Sequence, residues 1–348
     1  MIKKIFTRIS IFFDILKDFL VAVLAVILIL AFTIGIAHNL LKINEVSSKY
    51  SGPYKNLVTV GDKEMMNVYS MGNGANTIVI LSGFGVQSPV IEYKALANYL
   101  SSDYRVVIVE YLGYGYSLKA KTDRTSKNIA NEIKKALDGA EINGPYILMP
   151  HSISNIYAIE FQKLYPDNVS AIISVDGIMP NMSKENKFLS ELNQTKDNVK
   201  ISSIAEFTGF ARILSYVKPE MFYIDKMQNS TFYTDADIAE YRKRIGIGYL
   251  TSSMVKEINK IEENVIAEKE YVYPDNLPVL EVLTSESVNK YKDMKKQNNI
   301  SKDYEEYANE LLSNKQIQEV KIVSGDHMIP ITDPVNLAQT IKEFIMAH

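Results

Sequence analysis

Short apolar runs bounded by Gly, Pro or Asp alternate along the chain with stretches of helical periodicity, and this alternation restricts the fold more than any other feature. The runs occupy residues 77–81, 105–109, 146–149, 171–175, 278–283 and 320–323. They are too short for helices and mostly apolar, as mostly buried strands are. Between them, residues 89–100, 126–137, 155–164 and 334–346 repeat apolar side chains at intervals of three and four, the spacing of one helix face. Alternating strands and helices imply an α/β architecture, a mostly parallel central sheet with helices on both faces. From residue 180 to about 274 no buried strand is apparent, whereas 204–217 and 235–245 are amphipathic. A helical cap inserted into the sheet domain is therefore expected over about 180–274.

The segment Tyr-Ile-Leu-Met-Pro-His-Ser-Ile-Ser-Asn at 146–155 puts a serine at the junction of a buried strand and a helix. Such a turn lifts the hydroxyl of Ser152 above the sheet and aims a helix N-terminus at it, the setting of a nucleophile elbow. The usual pattern is G-x-S-x-G, and here Pro150 and Ser154 stand at the glycine positions. Small residues are needed where backbone crowds the turn, which Ser154 satisfies, and proline is tolerated at the end of a strand. Taken alone, Ser152 reads as a helix N-cap. A serine nucleophile needs a base within hydrogen-bond reach, and the four histidines are His38, His151, His327 and His348. His38 closes a long apolar run, His348 is the last residue, and His151 beside the serine is expected to point away from it. His327 remains as the base.

Three further loops accompany the elbow: Leu-Ser-Gly-Phe-Gly at 81–85, Glu-Tyr-Leu-Gly-Tyr-Gly-Tyr-Ser at 110–117 and Gly-Asp-His-Met-Ile-Pro at 325–330. Taken in order with His151-Ser152, they resemble the H-G-x-x loop, the D-x-x-G-x-G-x-S loop, the elbow and the histidine loop of the α/β-hydrolase superfamily. The resemblance is to its cap-bearing branch, which includes proline iminopeptidases, haloalkane dehalogenases and many esterases, and it runs from about Val58 to the C-terminus, with Ser82 in place of the first loop's histidine. It implies a serine hydrolase with an acyl-enzyme intermediate, Ser152 as nucleophile, His327 as base and a carboxylate that holds the base in one tautomer. In the commoner arrangement the acid follows the strand at 278–283, where Ser287 is the matching position and Glu286 lies one residue off. Asp176, at the end of the strand 171–175, stands where haloalkane dehalogenases and some lipases carry theirs; it is preferred, with Glu286 the alternative acid. The oxyanion hole maps to the backbone N–H groups of Phe84 and Ile153. A serine at 152 also sets the chain apart from epoxide hydrolases and dehalogenases, which use an aspartate nucleophile. A dinucleotide site is disfavoured: Gly83 and Gly85 follow a strand and Glu110 ends the next, but Ser88 occupies the third glycine position.

Residues 19–37 are apolar and carry no charge, and a helix of that length spans roughly the 30 Å core of a bilayer. The run exceeds the 7–15 or so residues of a signal-peptide core and ends in a poor cleavage site, which favours a retained anchor over a cleaved leader. Lys3, Lys4, Arg8 and Lys17 precede it, and only Lys42 and Lys49 flank Glu45 after it. By the positive-inside rule residues 1–18 are cytoplasmic, a linker spans 38–53, and the hydrolase domain at 54–348 lies outside the cell membrane. The chain has no cysteine, which excludes disulfides and thiolate metal sites, and its histidines lack metal-ligand spacing. Neither metal nor cofactor is expected. A net charge of −3 without a basic stripe argues against a nucleic-acid partner. The expected substrate is a small ester, amide or peptide, selected by the cap, whose aromatic residues include Phe207, Phe210, Tyr216, Phe222 and Tyr223. Two alternatives remain open: an aminopeptidase of the proline iminopeptidase kind, with Glu206 and Glu220 as cap carboxylates, and a catalytically inactive surface binding protein, which Pro150 and Ser154 would permit.

Overall fold

The computed structural model describes residues 2–48, 52–206, 208–297 and 299–348, so that Lys49 and Phe207 lie outside it. Helix α1 (Ile2–Ser48) is one continuous element. Its stretch Ser10–Ile43 is long and apolar enough to cross a membrane, and its apolar side chains from Ile11 to Ile43 are exposed. The expected linker at 38–53 is helical as far as Ser48. Residues 38–48 contain neither Gly nor Pro, the Leu, Lys and Glu among them are good helix formers, and the first breakers are Gly52 and Pro53.

The main domain begins with β1 (Leu57–Gly61) and β2 (Glu64–Met71), followed by β3 (Thr77–Leu81), α2 (Pro89–Glu92), α3 (Lys94–Leu100), β4 (Arg105–Glu110), α4 (Ser126–Gly139), β5 (Tyr146–Pro150), α5 (Ser154–Leu164) and β6 (Val169–Val175). Among the described residues only helices stand between β6 and the next strand, principally α6 (Asn186–Glu206), α7 (Phe210–Val217), α8 (Ile224–Gln228), α9 (Asp235–Gly248) and α10 (Ser252–Ala267). The chain then completes the sheet with β7 (Val279–Thr284), α11 (Ser285–Lys296), α12 (Tyr304–Leu311), β8 (Gln318–Val323), α13 (Ile329–Thr332) and α14 (Pro334–Ala347). The strand order is β1-β2-β4-β3-β5-β6-β7-β8. β2 runs antiparallel to both neighbours and the rest of the sheet is parallel. Successive side chains of β3 feed opposite cores, Val79 and Leu81 one side and Ile78 and Ile80 the other, which is why the strand is apolar throughout.

The helix expected over 204–217 is interrupted. α6 ends at Glu206, α7 starts at Phe210, and Gly209 between them has φ +71°, a conformation that glycine adopts freely. A side chain there would also meet His38 of α1, since a Cβ would lie 2.6 Å from the ring. Around this point α1 is fastened to the insertion: Lys42 pairs with Glu206 at 2.7 Å, and Arg212 makes two hydrogen bonds to Glu45 at 2.8 and 2.5 Å.

The insertion is also tied to the main domain from below. Glu257 of α10 is fully buried and accepts hydrogen bonds from Tyr114 and Tyr157, each 2.9 Å. Arg124, also fully buried, makes bonds of 2.9 and 2.6 Å to Glu132, and its charge acts on Glu257 as well. Removing one charge from such a cluster strands the others without water, so Arg124→Met is expected to destabilise the fold by about 3–5 kcal/mol. Thermal and urea unfolding of the full chain would register this as a lower midpoint, and an unchanged midpoint would refute it.

Candidate active site

The ends of β3, β5, β6, β7 and β8 converge where ligands bind in open α/β sheets, outside the carboxyl edge. β5 ends at Pro150, which lies in register with Leu81 of β3. His151 N–H then donates to Leu81 O at 2.9 Å and Ser152 N–H to Val175 O at 3.1 Å, so the turn is pinned to the strand on either side. Ser152 is left with φ +58°. Such a conformation costs a non-glycine residue about 1–3 kcal/mol, and the two flanking bonds hold it in place. Gly83 fits against this turn because it lacks a side chain: a Cβ would lie 3.1 Å from the His151 ring and 3.2 Å from Ser152 Cβ.

Ser154, at the second glycine position of the elbow, is fully buried and donates its hydroxyl to Ser82 O while Tyr111 OH lies 2.7 Å away. The replacement thus joins the elbow to the loop after β3. Along that loop and the elbow, the N–H groups of Phe84 and Ile153 have no acceptor among the described residues, which leaves both donors for a ligand.

His327 Nδ1 lies 2.6 Å from Asp176 Oδ2. Asp176 follows β6 at φ +45° and is held from several sides. Thr284 N–H and Oγ1 donate to its Oδ1, each at 3.0 Å, and Ser287 Oγ donates to its Oδ2 at 2.6 Å. Burial alone would push this carboxyl up, but His327, Ser287 and Thr284 together hold it below the ordinary aspartate range. Ser287, at the position matched to the commoner acid, therefore donates to the carboxylate that follows the neighbouring strand. Glu286 borders the same cavity, but its carboxylate makes no hydrogen bond to His327 among the described residues. Asp326 binds Met328 N–H at 2.8 Å and Thr332 Oγ1 at 2.9 Å, shaping the loop that presents His327.

His151 does not simply point away. Its ring lies 4.7 Å from that of His327, centre to centre, with Nε2 2.8 Å from His327 O and Nδ1 2.7 Å from Tyr93 OH. Burial, with His327 acting in the same sense, lowers its pKa to about 3. The ring is thus neutral. A carbonyl can only accept, so Nε2 carries the proton and Nδ1 accepts from Tyr93, whose oxygen in turn receives Gly83 N–H at 3.4 Å. Glycine loop, elbow and histidine loop are joined in one chain of bonds that no local sequence signal announces. The unfolded chain takes up a proton here near pH 6.5 whereas the folded protein does not until about pH 3, so this residue erodes stability as pH falls through that interval. His151→Gln is expected to lose stability less steeply than wild type between those limits in acid-unfolding titrations; parallel curves would contradict the assignment.

Ser152, Asp176 and His327 border one cavity of about 460 Å³, together with Ile178, Met182, Glu286, Ser287, Lys290, Tyr291 and Tyr304. Ser152 Oγ has no hydrogen bond among the described residues, and His327 is half exposed to this space. Ile178 and Met182 come from the start of the long excursion after β6, but most of the remaining wall comes from α11 and α12. Expecting substrate choice to lie in the cap alone understates the connection between β7 and β8. Phe210 and Phe222 border a different cavity. Glu206 is paired with Lys42, and Glu220 lies 3.8 Å from Lys218; neither borders the Ser152 cavity. Glu110 is spent inside the fold on the N–H groups of Tyr116 and Val90 and on Asn67 Nδ2, which removes the acidic partner that a dinucleotide would need.

This sheet order, with helices on both faces and the loops just described at its carboxyl edge, is the α/β-hydrolase fold. No protein-family model matches the chain. It is similar to the uncharacterized protein YbdG of Bacillus subtilis, 28% identical over 95% of this chain and 97% of that one. It is also similar to the karrikin insensitive 2 receptor CA of Petunia hybrida, 25% identical over 51% of this chain and 67% of the receptor. Among solved structures, epoxide hydrolase VrEH1 from Vigna radiata superposes with TM-score 0.59 at 15% identity, covering 86% of this chain and all of the enzyme. Cfl2 from Burkholderia cenocepacia gives 0.58 at 16%, covering 83% of this chain and 94% of that one.

Proposed function

We propose that the chain is a membrane-anchored serine hydrolase that cleaves an ester or amide through an acyl-enzyme. The observation that carries this reading is the 2.6 Å contact between His327 Nδ1 and Asp176 Oδ2, on the cavity that Ser152 also borders. The contact leaves His327 Nε2 as the nitrogen able to take a proton. In this reading Ser152 Oγ attacks the substrate carbonyl as Nε2 takes its proton, and the charge developing on the carbonyl oxygen meets the N–H groups of Phe84 and Ile153. The leaving group departs with the proton from Nε2. Water then enters, its oxygen bonds to the acyl carbon as its proton passes to the same nitrogen, and that proton returns to Ser152 Oγ as the bond to the acid breaks. Asp176 stays ionised, keeping the ring in one tautomer and balancing the imidazolium. The neighbouring epoxide hydrolases share the fold, and the serine at 152 favours acyl transfer over their reaction. The uncharged run of α1 supports anchoring, with the N-terminus cytoplasmic and the hydrolase domain outside.

A second reading has its own support. The petunia relatives are named receptors, so a chain of this fold could bind a ligand without turnover. An aminopeptidase reading is weakened because Glu206 and Glu220 stand away from the Ser152 cavity. Labelling of the full-length protein by a fluorophosphonate probe separates them. A covalent adduct on Ser152 is expected; absence of any adduct on folded wild-type protein would overturn the acyl-enzyme and favour the receptor reading.

A further inference from the structure

Helix α7 exposes an unusual stripe. Phe210, Ile213 and Val217 recur at intervals of three and four and are 55, 41 and 66% exposed, and Met221 just beyond them is 59% exposed, while Ala211 and Ser215 turn inward. Contiguous apolar surface of this kind marks a contact with something apolar. Its position says with what. Gly209, the residue before the stripe, touches the ring of His38, and His38 follows directly on the uncharged run at 19–37. At 1.5 Å of rise per residue, α7 therefore meets α1 at the level where the membrane-crossing length ends. Arg212 of α7 pairs with Glu45 of α1 at that level, and Glu206 at the end of α6 pairs with Lys42 beside it. A cavity of about 280 Å³, lined by Ile201, Phe210, Leu214, Met221, Phe222 and Tyr249, opens beside the stripe.

We infer that the α7 face rests in the interfacial zone of the bilayer that α1 crosses, so that the insertion, and not the anchor alone, contacts lipid. This rests on reading α1 as an anchor. An amphipathic helix held at the headgroup boundary buries its apolar side among acyl chains, and the geometry gives α7 no need to find the membrane by diffusion. The adjoining cavity is apolar on most of its wall, as an acyl chain would require.

The chain has no cysteine, so single cysteines carry an environment-sensitive fluorophore without background. Full-length Ile213→Cys, Val217→Cys, Leu28→Cys and Lys292→Cys proteins, each labelled with a nitrobenzoxadiazole group, would be placed in vesicles of phosphatidylcholine and phosphatidylglycerol. All four positions are exposed, so the fold tolerates the label. Labels at 213 and 217 are expected to shift to the blue and to lose intensity to phosphatidylcholine carrying a quencher near its headgroup. The Lys292→Cys label is expected to respond only to iodide in the water. If 213 and 217 respond as 292 does while 28 is quenched by phosphatidylcholine carrying a quencher deep in its acyl chain, the docking is refuted and the anchor stands, the stripe being left for a second copy or a protein partner. If 28 also escapes lipid quenching, the anchor reading itself fails and takes this inference with it.

Discussion

Ser152→Ala is expected to lower the turnover of a short-chain ester by about 10⁴- to 10⁶-fold, the range that removal of a serine nucleophile produces in serine hydrolases. No neighbour can take its place. Ser154 is buried with its hydroxyl committed to Ser82 O and Tyr111, and it sits inside the fold instead of on the cavity. The residual rate would come from the Phe84 and Ile153 donors. Ser152→Gly should lose the same activity yet melt at a higher temperature, because glycine accepts φ +58° without the roughly 1–3 kcal/mol that serine incurs. Steady-state kinetics beside thermal unfolding separate the two effects. Turnover within tenfold or so of wild type in either variant would be incompatible with an acyl-enzyme on this residue.

Asp176→Asn is expected to reduce kcat by about 10⁴-fold, because an amide cannot stabilise the imidazolium and offers a donor where an acceptor is needed. Glu286→Gln, which removes a charge from the cavity rim without touching His327, should change kcat by less than about tenfold. Equal, mild losses would mean that neither carboxylate orients the base. The same substitution has a stability signature. The Asp176 carboxyl titrates below its unfolded value, so its stabilising contribution is fully present above the ordinary aspartate pKa of about 3.9 and is lost as pH falls through the folded one. Asp176→Asn should flatten the corresponding acid limb of the unfolding profile.

Six strands were legible because burial between two helix layers makes the central ones largely apolar and leaves even the marginal β8, whose Lys321 and Ile322 reach the surface, with a short Val-rich run. β1 and β2 were not: Glu64-Met-Met-Asn-Val-Tyr-Ser-Met mixes polar and apolar residues at the sheet margin, where β2 uses Asn67 to bind Glu110. The helical continuation of α1 to Ser48 was hidden by the end of hydrophobicity at residue 37, although helix propensity continues past it. At the site, strand-end positions made Ser152, Asp176 and His327 visible as separate residues, but not the service of Ser287 to Asp176, which depends on two strands lying side by side. The partners of His151 were hidden for a similar reason. Adjacency in sequence says nothing of Tyr93 or of the His327 carbonyl, both of which reach it across the sheet.

Ser152 and Asp176 stand at the ends of neighbouring strands within a single β5–α5–β6 unit, whereas His327 arrives from far along the chain. The backbone spacing between Ser152 and Asp176 is therefore internal to one crossover, while Thr284 and Ser287 from the next strand and helix fix the Asp176 carboxylate. The segment between β6 and β7 can vary in size, remodelling membrane-facing surface, provided that β7 still brings Thr284 and Ser287 to Asp176 and the chain still returns the loop bearing His327. Such a frame is suited to grafting: a chimera that carries a relative's excursion between β6 and β7 on this core should change only the Ile178 and Met182 part of the cavity wall, most of its selectivity staying with α11 and α12.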